Sequence, residues 1–146
     1  MDKPQDIALT LVRTLKASPE KVFAAWTEPE TLKRWMAPGG DMIVALAETD
    51  LRVGGRYRIV MREVDGTEHK VGGVYREIVP GKKLSFTWAW ESTPENESLV
   101  TIELRKNGAG TELTLVHAKF ATDQARDMHN QGWNGCLAKL ERLMAA

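Results

Sequence analysis

KLSFTWAW, residues 83–90, alternates between large apolar side chains and small or polar ones. Such a period of two is typical of a β-strand with one buried face, because successive side chains point to opposite sides of a sheet. A face of this kind must be covered by another part of the chain. In residues 83–90 the apolar face consists of Leu84, Phe86, Trp88 and Trp90. We predict that these side chains point into the protein interior.

Further inward positions follow from the same alternation in the neighbouring strands. They are Tyr57, Ile59, Met61, Val71, Gly73, Tyr75, Glu77, Val100, Ile102, Leu104, Leu113, Leu115 and His117. The inward set between residues 69 and 79 assumes that Arg76 points outward. Two of the inward side chains, His117 and Glu77, are polar, so each needs a hydrogen-bond partner or solvent.

Turn signals divide the chain into one strand, two helices, six strands and a long helix. Asp65-Gly66 is a strong hairpin signal, and Pro80-Gly81 and Asn107-Gly108 mark further turns. Links as short as these favour antiparallel neighbours. The predicted strands are 7–15, 42–50, 55–63, 69–79, 83–91, 98–106 and 111–120. The sequence therefore predicts an α+β fold with a seven-stranded antiparallel sheet.

Two short helices are predicted between the first and second strands. Ser18 suits an N-cap, and Pro19 suits the first helical position. A second helix restarts at Glu28-Pro29-Glu30, carries Trp35 and ends at Pro38-Gly39-Gly40. The large apolar side chains of the first helix repeat at helical spacing, which predicts one buried face.

A long helix is predicted from residue 123 to 144, with Thr122 as its N-cap. Its apolar stripe is formed by Trp133, Cys136, Leu137, Leu140 and Met144. Gly132 and Gly135 lie within this helix, where each glycine costs about 1 kcal/mol relative to alanine. We expect a kink at the glycines or a close approach to the sheet. The apolar stripe is predicted to cover the apolar face of the sheet.

Composition narrows the classes of partner. The 146 residues fit a single domain over 1–146. Lys and Arg number 20, as do Asp and Glu, so the net charge is zero, and we expect no nucleic-acid partner. No apolar run reaches the roughly 18–20 residues that cross a bilayer, so we expect no membrane insertion. The first residues lack the apolar stretch of a secretion signal, and we expect a cytoplasmic protein.

Signatures of common active sites are not found in the sequence. It contains no phosphate-binding loop, glycine-rich dinucleotide motif, zinc-protease motif or nucleophile elbow. His69, His117 and His129 are spread out along the chain, so we predict no metal site, and we expect no cofactor. Cys136 is the single cysteine and cannot form an internal disulfide. We interpret it as a small buried apolar group.

Two polar residues are candidate catalytic groups. His117 is either a structural histidine that bonds to a neighbour in the interior, or a polar anchor or general acid/base in a pocket. Glu77 either pairs with an arginine or caps a strand end, or it takes part in the same pocket. Trp88 and Trp90, on the inner face of one strand, are either core or pocket residues. These alternatives stay open at the level of sequence.

An ordered set of segments resembles a known family, the small homologues of the activator of the heat-shock-protein-90 ATPase. The matching segments are AWTEPE (25–30), WMAP (35–38), DLRVGGRY (50–57), GVYREI (73–78), LSFT (84–87), TELTL (111–115) and HNQGW (129–133). The resemblance places the chain in the SRPBCC (START-like) helix-grip superfamily, which includes lipid carriers and polyketide cyclases. It implies a curved antiparallel sheet that grips the C-terminal helix, with a cavity between them.

The leading functional hypothesis is the binding of a small hydrophobic or amphipathic ligand in that cavity. An aromatic concavity with a few polar groups is typical of a ligand site. The expected cavity residues are Tyr57, Ile59, Met61, Tyr75, Phe86, Trp88, Trp90, His117, Trp133 and Leu137.

Two alternatives remain. The first is a cyclase- or hydrolase-like enzyme acting on an aromatic or polyketide-like compound, with His117 as proton carrier and Glu77 or Tyr75 assisting. The second is a protein-interaction module, either a partner of a heat-shock-protein-90 homologue or a homodimer. A chaperone partner would need an exposed apolar patch, for which Trp35, Met36 and Ala37 are the candidates.

Overall fold

Seven strands form one antiparallel sheet in the computed structural model, which describes residues 7–146. The strands are β1 Ile7–Leu15, β2 Ile43–Thr49, β3 Arg56–Arg62, β4 Glu68–Val79, β5 Lys83–Trp90, β6 Ser98–Asn107 and β7 Gly110–Phe120. Their spatial order is β1-β7-β6-β5-β4-β3-β2, so strands β2 to β7 form the predicted meander and β1 pairs with β7. Residues 1–6, on which the expectation about a secretion signal depends, lie outside the described residues.

Three helices accompany the sheet: α1 Pro19–Thr27, α2 Pro29–Leu32 and α3 Asp123–Ala145. The predicted α+β helix-grip fold is therefore confirmed. Both predicted N-caps form, since the Ser18 hydroxyl accepts from the Lys21 amide at 3.2 Å and the Thr122 hydroxyl accepts from the Ala125 amide at 3.0 Å. Between residues 7 and 146, no helix is long and apolar enough to cross a membrane.

The second helix is shorter than predicted, because it ends at Leu32 and Trp35 lies beyond it. The Trp35 indole N–H donates to the Ala25 carbonyl of α1 at 2.9 Å and is buried with it. This bond fixes the start of the segment 33–42, which we call the α2–β2 loop. The loop returns the chain to the sheet along α3.

Strand β4 contains an irregularity that reverses its alternation. Tyr75 lies opposite Phe86, but Glu77 lies opposite Ser85, so the register shifts by one residue between them. An extra residue of this kind turns the following side chains to the other face. Ile78 therefore packs against the core, whereas Glu77 is exposed and pairs with Lys83 at 3.1 Å. The prediction that Glu77 points inward is wrong for this reason.

The inward positions predicted for β3, β5, β6 and β7 are occupied as expected. Their large apolar side chains belong to one buried cluster, which Trp90 joins as a partly buried member. His117 is fully buried on the same face. The apolar stripe of α3 belongs to the same cluster, so α3 covers this face of the sheet as predicted.

Helix α3 is held on two sides. On one side it lies against β1 and β7, and the Arg13 side chain of β1 reaches both Asn134, by a hydrogen bond, and Glu141, by an ion pair of 3.3 Å. On the other side the Lys139 ammonium group donates to the Gly39 carbonyl of the α2–β2 loop at 2.7 Å. The helix is thus fixed between the β1 edge of the sheet and this loop.

A glycine makes the contact with the loop possible. A Cβ at Gly135 would lie 2.2 Å from the Pro38 carbonyl oxygen, so only glycine fits there. The close approach expected for the glycines of α3 therefore exists, but it is to the α2–β2 loop and not to the sheet. Helix α3 continues through both glycines.

Gly135→Ala and Gly132→Ala are matched substitutions with opposite expected effects. Gly135→Ala should lower the free energy of unfolding by about 1–3 kcal/mol, because the Pro38 backbone must move. Gly132→Ala should raise it by up to about 1 kcal/mol, because its Cβ meets only the Pro38 Cβ at 3.8 Å and alanine favours the helix. Urea unfolding measures both changes. Equal stabilities would contradict the packing described for α3.

Candidate functional site

A pocket of about 700 Å³ opens between the sheet and the N-terminal half of α3. Strands β3, β4 and β5 form one wall, and α3 forms the opposite wall. The α2–β2 loop and the turn after β5 close its sides. Helix α3 lies mainly against β1 and β7, and the pocket lies between α3 and strands β3, β4 and β5.

Eight of the side chains that line the pocket contain sulfur or an indole ring. They are Met36, Met42, Met61 and Met128, Trp88, Trp90 and Trp133, and Cys136. Methionine side chains are flexible and polarisable, so they adapt to ligands of different shape. Tryptophans supply large, rigid apolar surfaces. The lining therefore combines adaptable and rigid parts.

The rim of the pocket is polar. Glu68, Lys70 and Glu91 lie around the opening, together with Ser92 and Thr93 of the turn after β5. An apolar interior with a few polar groups at its edge is the usual composition of a small-molecule site. The geometry suits a molecule with an apolar body and one end near solvent.

A second, much smaller void of about 10 Å³ lies deeper in the protein. It is lined by Trp26, Leu32, Met36, Tyr57, Ile59, Tyr75, Phe86 and Trp88. Met36 and Trp88 line both spaces, so they form the wall between the open pocket and the void.

The residues expected to line one cavity fall into three groups. Met61, Trp88, Trp90 and Trp133 line the open pocket. Tyr57, Ile59, Tyr75 and Phe86 line the small void, together with Trp88. His117 and Leu137 are fully buried within the packed core.

Sequence reasoning missed the part of the pocket that comes from the α2–β2 loop and from the first half of α3. Met36 and Met42 belong to the loop, where no periodic pattern identifies a buried side chain. On α3, Met128, Gly132 and Cys136 follow one another at intervals of four, so they share one helical face. That spacing is the signal that could have identified this wall.

His117 makes two hydrogen bonds through its ring. The Trp133 indole N–H donates to its Nδ1 at 2.9 Å, and its Nε2 lies 2.7 Å from the Ser98 hydroxyl. Because indole is only a donor, Nδ1 accepts, and the ring proton of the neutral imidazole is on Nε2. Nε2–H therefore donates to Ser98, whose own hydroxyl donates to the Trp88 carbonyl at 3.1 Å.

Both ring nitrogens of His117 are thus used within the protein. Burial lowers the pKa of His117 to about 2, and the nearby His129 acts in the same direction. The imidazole stays neutral near neutral pH and has no nitrogen available to a substrate. Of the two interpretations of His117, the geometry favours the structural one.

His129, at the pocket wall, also uses both ring nitrogens in hydrogen bonds within the protein. The Trp90 indole N–H donates to Nε2 of His129 at 2.9 Å, so Nδ1 carries the proton and donates to the Ala125 carbonyl at 2.7 Å. Burial lowers the pKa of His129, although the bond to Ala125 opposes this effect. Trp90 is therefore held against α3 by a neutral histidine.

The other reactive groups do not form a catalytic set. Burial raises the pKa of the Cys136 thiol to about 12, so it lines the pocket as a neutral thiol. Glu77 is exposed and paired with Lys83, on the face of the sheet away from His117. Within the described part of the chain, no three histidine, cysteine or acidic side chains come together in a way that could hold a metal ion.

The exposed apolar patch expected near the end of the second helix is not present at the predicted residues. Trp35, Met36 and Ala37 are all buried. Trp35 packs edge-on against Trp26 with ring centroids 4.6 Å apart. Met36 lines both the open pocket and the small void. The prediction of an exposed patch there is wrong, because the α2–β2 loop folds these side chains beneath it.

Comparison with known proteins gives one family and several solved structures. The family model described as "Activator of Hsp90 ATPase homolog 1-like protein" matches residues 16–145. Protein CV1439 from Chromobacterium violaceum is 28% identical, with a TM-score of 0.88 over 95% of this chain and 97% of that one. The AHSA1 protein from Silicibacter pomeroyi is also 28% identical, with a TM-score of 0.84 over 95% and 98% of the two chains. No curated protein matches the sequence.

His117 should make the protein less stable in acid. Its pKa is near 6.5 in the unfolded chain and lowered in the folded one, so the unfolded state takes up the proton first as pH falls. The stabilisation is complete above about pH 6.5 and should decrease by about 2 kcal/mol between about pH 7.5 and pH 5.

The measurement is urea unfolding at several pH values. His117→Gln costs stability at every pH through its altered hydrogen bonds, but its free energy of unfolding should fall less between pH 7.5 and 5. Only this change with pH reports on protonation. An identical pH dependence in the variant and the natural protein would show that His117 does not contribute to it.

Proposed function

The chain belongs to the family of activator of Hsp90 ATPase homolog 1-like proteins, and we propose that it binds one small hydrophobic or amphipathic molecule in the pocket beside α3. The fold of this family commonly binds ligands. The proposal concerns binding by this chain, and it is supported chiefly by one observation. The observation is a pocket of about 700 Å³ with an apolar interior and a polar rim.

The size of this pocket supports a ligand with the dimensions of a small organic molecule. Known small-molecule sites occupy roughly 300–1,000 Å³ and are lined mainly by apolar and aromatic groups. Exposed apolar surface of this extent is unfavourable in water, so a bound apolar molecule would be stabilised by burial.

The lining supports a particular arrangement of the ligand. The rigid rings of Trp90 and Trp133 would contact a flat or extended apolar body, and both rings are fixed by hydrogen bonds to histidines. Met42 and Met128 would adjust around its other side. A polar end would lie near Lys70 and the acidic residues of the rim.

Binding is better supported than turnover. The proposed proton carrier, His117, uses both ring nitrogens within the protein, and Glu77 lies on the other face of the sheet. Tyr75 keeps a neutral hydroxyl, because burial raises its pKa. A cyclase or hydrolase mechanism through these three residues therefore has little support in the geometry.

A chaperone contact stays a prediction, as does a homodimer. The family description refers to activation of the Hsp90 ATPase, which motivates the first of these. The surface expected to serve it, formed by Trp35, Met36 and Ala37, is buried. We therefore propose the pocket, and not this surface, as the functional part of the molecule.

Filling the pocket should abolish binding of an apolar probe. Gly132 lies in the pocket wall, and a Cβ added there would meet only the Pro38 Cβ, at 3.8 Å. Gly132→Leu should weaken binding of N-phenyl-1-naphthylamine at least about tenfold, because the leucine occupies part of the space. The fluorescence of the probe on binding measures its affinity.

The matched control is Gln131→Leu, which adds the same side chain to the preceding, exposed position of α3. It should leave the affinity unchanged. For the natural protein, a ligand at 100 times its dissociation constant should raise the free energy of unfolding by about 2.7 kcal/mol. If the probe binds the Gly132→Leu variant as well as the natural protein, the pocket beside α3 is not where it binds.

A further inference from the structure

Two tryptophans differ from the others in their hydrogen bonding. The indole N–H groups of Trp35, Trp90 and Trp133 each donate to an acceptor within the protein. Those of Trp26 and Trp88 have no partner, although the two residues are only 3% and 4% exposed. Over residues 7–146, these are the only fully buried side-chain nitrogen or oxygen atoms without a partner.

A buried donor without an acceptor is unfavourable, because the group has lost its bonds to water and gained nothing in return. Proteins retain such groups mainly where a water molecule, an ion or a ligand completes the bond. Two such donors on side chains that line the same small void therefore indicate a missing acceptor. Indole N–H is only a donor, so any group that completes these bonds must supply a lone pair.

The small void supplies the space for such an acceptor. Trp26 and Trp88 both line it, and its volume of about 10 Å³ is roughly that of one water-sized group. The side chains that surround the void carry no formal charge, as far as residues 7–146 are concerned. The Tyr57 hydroxyl donates to the Thr87 carbonyl at 2.5 Å, so its proton is already used.

Two side chains line both the void and the open pocket. One is Trp88 itself, and the other is Met36. Met36 belongs to the α2–β2 loop and has an unbranched side chain with three rotatable bonds. A rotation of this side chain would join the two spaces without moving the sheet.

We propose that the ligand of the open pocket carries an uncharged hydrogen-bond acceptor, such as a ketone or ester oxygen, and places it between Trp26 and Trp88. This inference rests on the proposed function and specifies the chemical class of the ligand. The apolar body fills the pocket, and the oxygen enters the void beside Met36. A carboxylate is excluded from the void, because burying its charge without a cation is very costly.

Three probes of nearly equal shape test this proposal. They are 2-acetylnaphthalene, 2-isopropenylnaphthalene, in which a methylene group replaces the ketone oxygen, and 2-naphthoate. The full chain, labelled with ¹⁵N, reports each indole N–H as a separate signal in an NMR spectrum. Single Trp→Phe variants assign these signals, and calorimetry measures the three affinities.

The ketone should bind about tenfold more tightly than its hydrocarbon counterpart, because only the ketone satisfies the two donors. On binding, it should move the indole N–H signals of Trp26 and Trp88 downfield. The hydrocarbon should shift signals of the open pocket without this downfield movement. Naphthoate should bind more weakly than the ketone at neutral pH.

Variants give an independent test. Trp88→Phe removes one donor and should reduce the preference for the ketone. Trp35→Phe also removes an indole, but one whose N–H is bonded to Ala25 and which lies outside both spaces, so it should keep the preference. The spectra of the natural protein decide the question if either variant fails to fold.

Several results would overturn the inference. Equal affinities for the ketone and the hydrocarbon, with unmoved signals of Trp26 and Trp88, would reject the acceptor while leaving the pocket proposal intact. A water molecule that stays in contact with both indoles after the ketone binds would show a permanent hydration site. Tighter binding of naphthoate would reject an uncharged acceptor. If no probe binds, the pocket proposal fails together with the inference.

Discussion

The contact between Gly135 and the Pro38 carbonyl is the constraint on which the pocket depends. It allows the backbone of α3 to touch the α2–β2 loop, and the bond from Lys139 to Gly39 holds the two together. On its other side α3 is tied to β1 through Arg13. A helix fixed at both of these places stays to one side of β3, β4 and β5, and a pocket remains between α3 and these strands.

Hydrogen bonds through one histidine connect the layers beneath the pocket. His117 of β7 accepts from Trp133 of α3 and donates to Ser98 of β6, which in turn donates to the Trp88 carbonyl of β5. A polar residue on the inner face is thus fully satisfied, and burial keeps it neutral. The candidate for proton transfer instead holds the ring of Trp133 and, through Ser98, the backbone of Trp88.

Much of the fold could be predicted from the sequence, because caps, turn residues and alternation are local signals. Ser18, Thr122 and Asp65-Gly66 are examples, and the alternation of β5 correctly placed Trp88. Glu77 was misplaced because a register shift depends on the pairing of two strands, which the pattern of one strand does not record. Likewise, an inward direction does not distinguish a filled core from a cavity, and the loop methionines have no periodic pattern to identify them.

The side chains that line the pocket differ in how firmly they are held. Trp90 and Trp133 each donate a hydrogen bond to a histidine, whereas Met42 is only partly buried and Met128 is 65% exposed. The tryptophans would then discriminate between ligand shapes, and the methionines would tolerate differences among them. In proteins with this fold, substitutions in the α2–β2 loop can therefore change which molecules bind. The hydrogen bonds that join the helix to the sheet would be preserved.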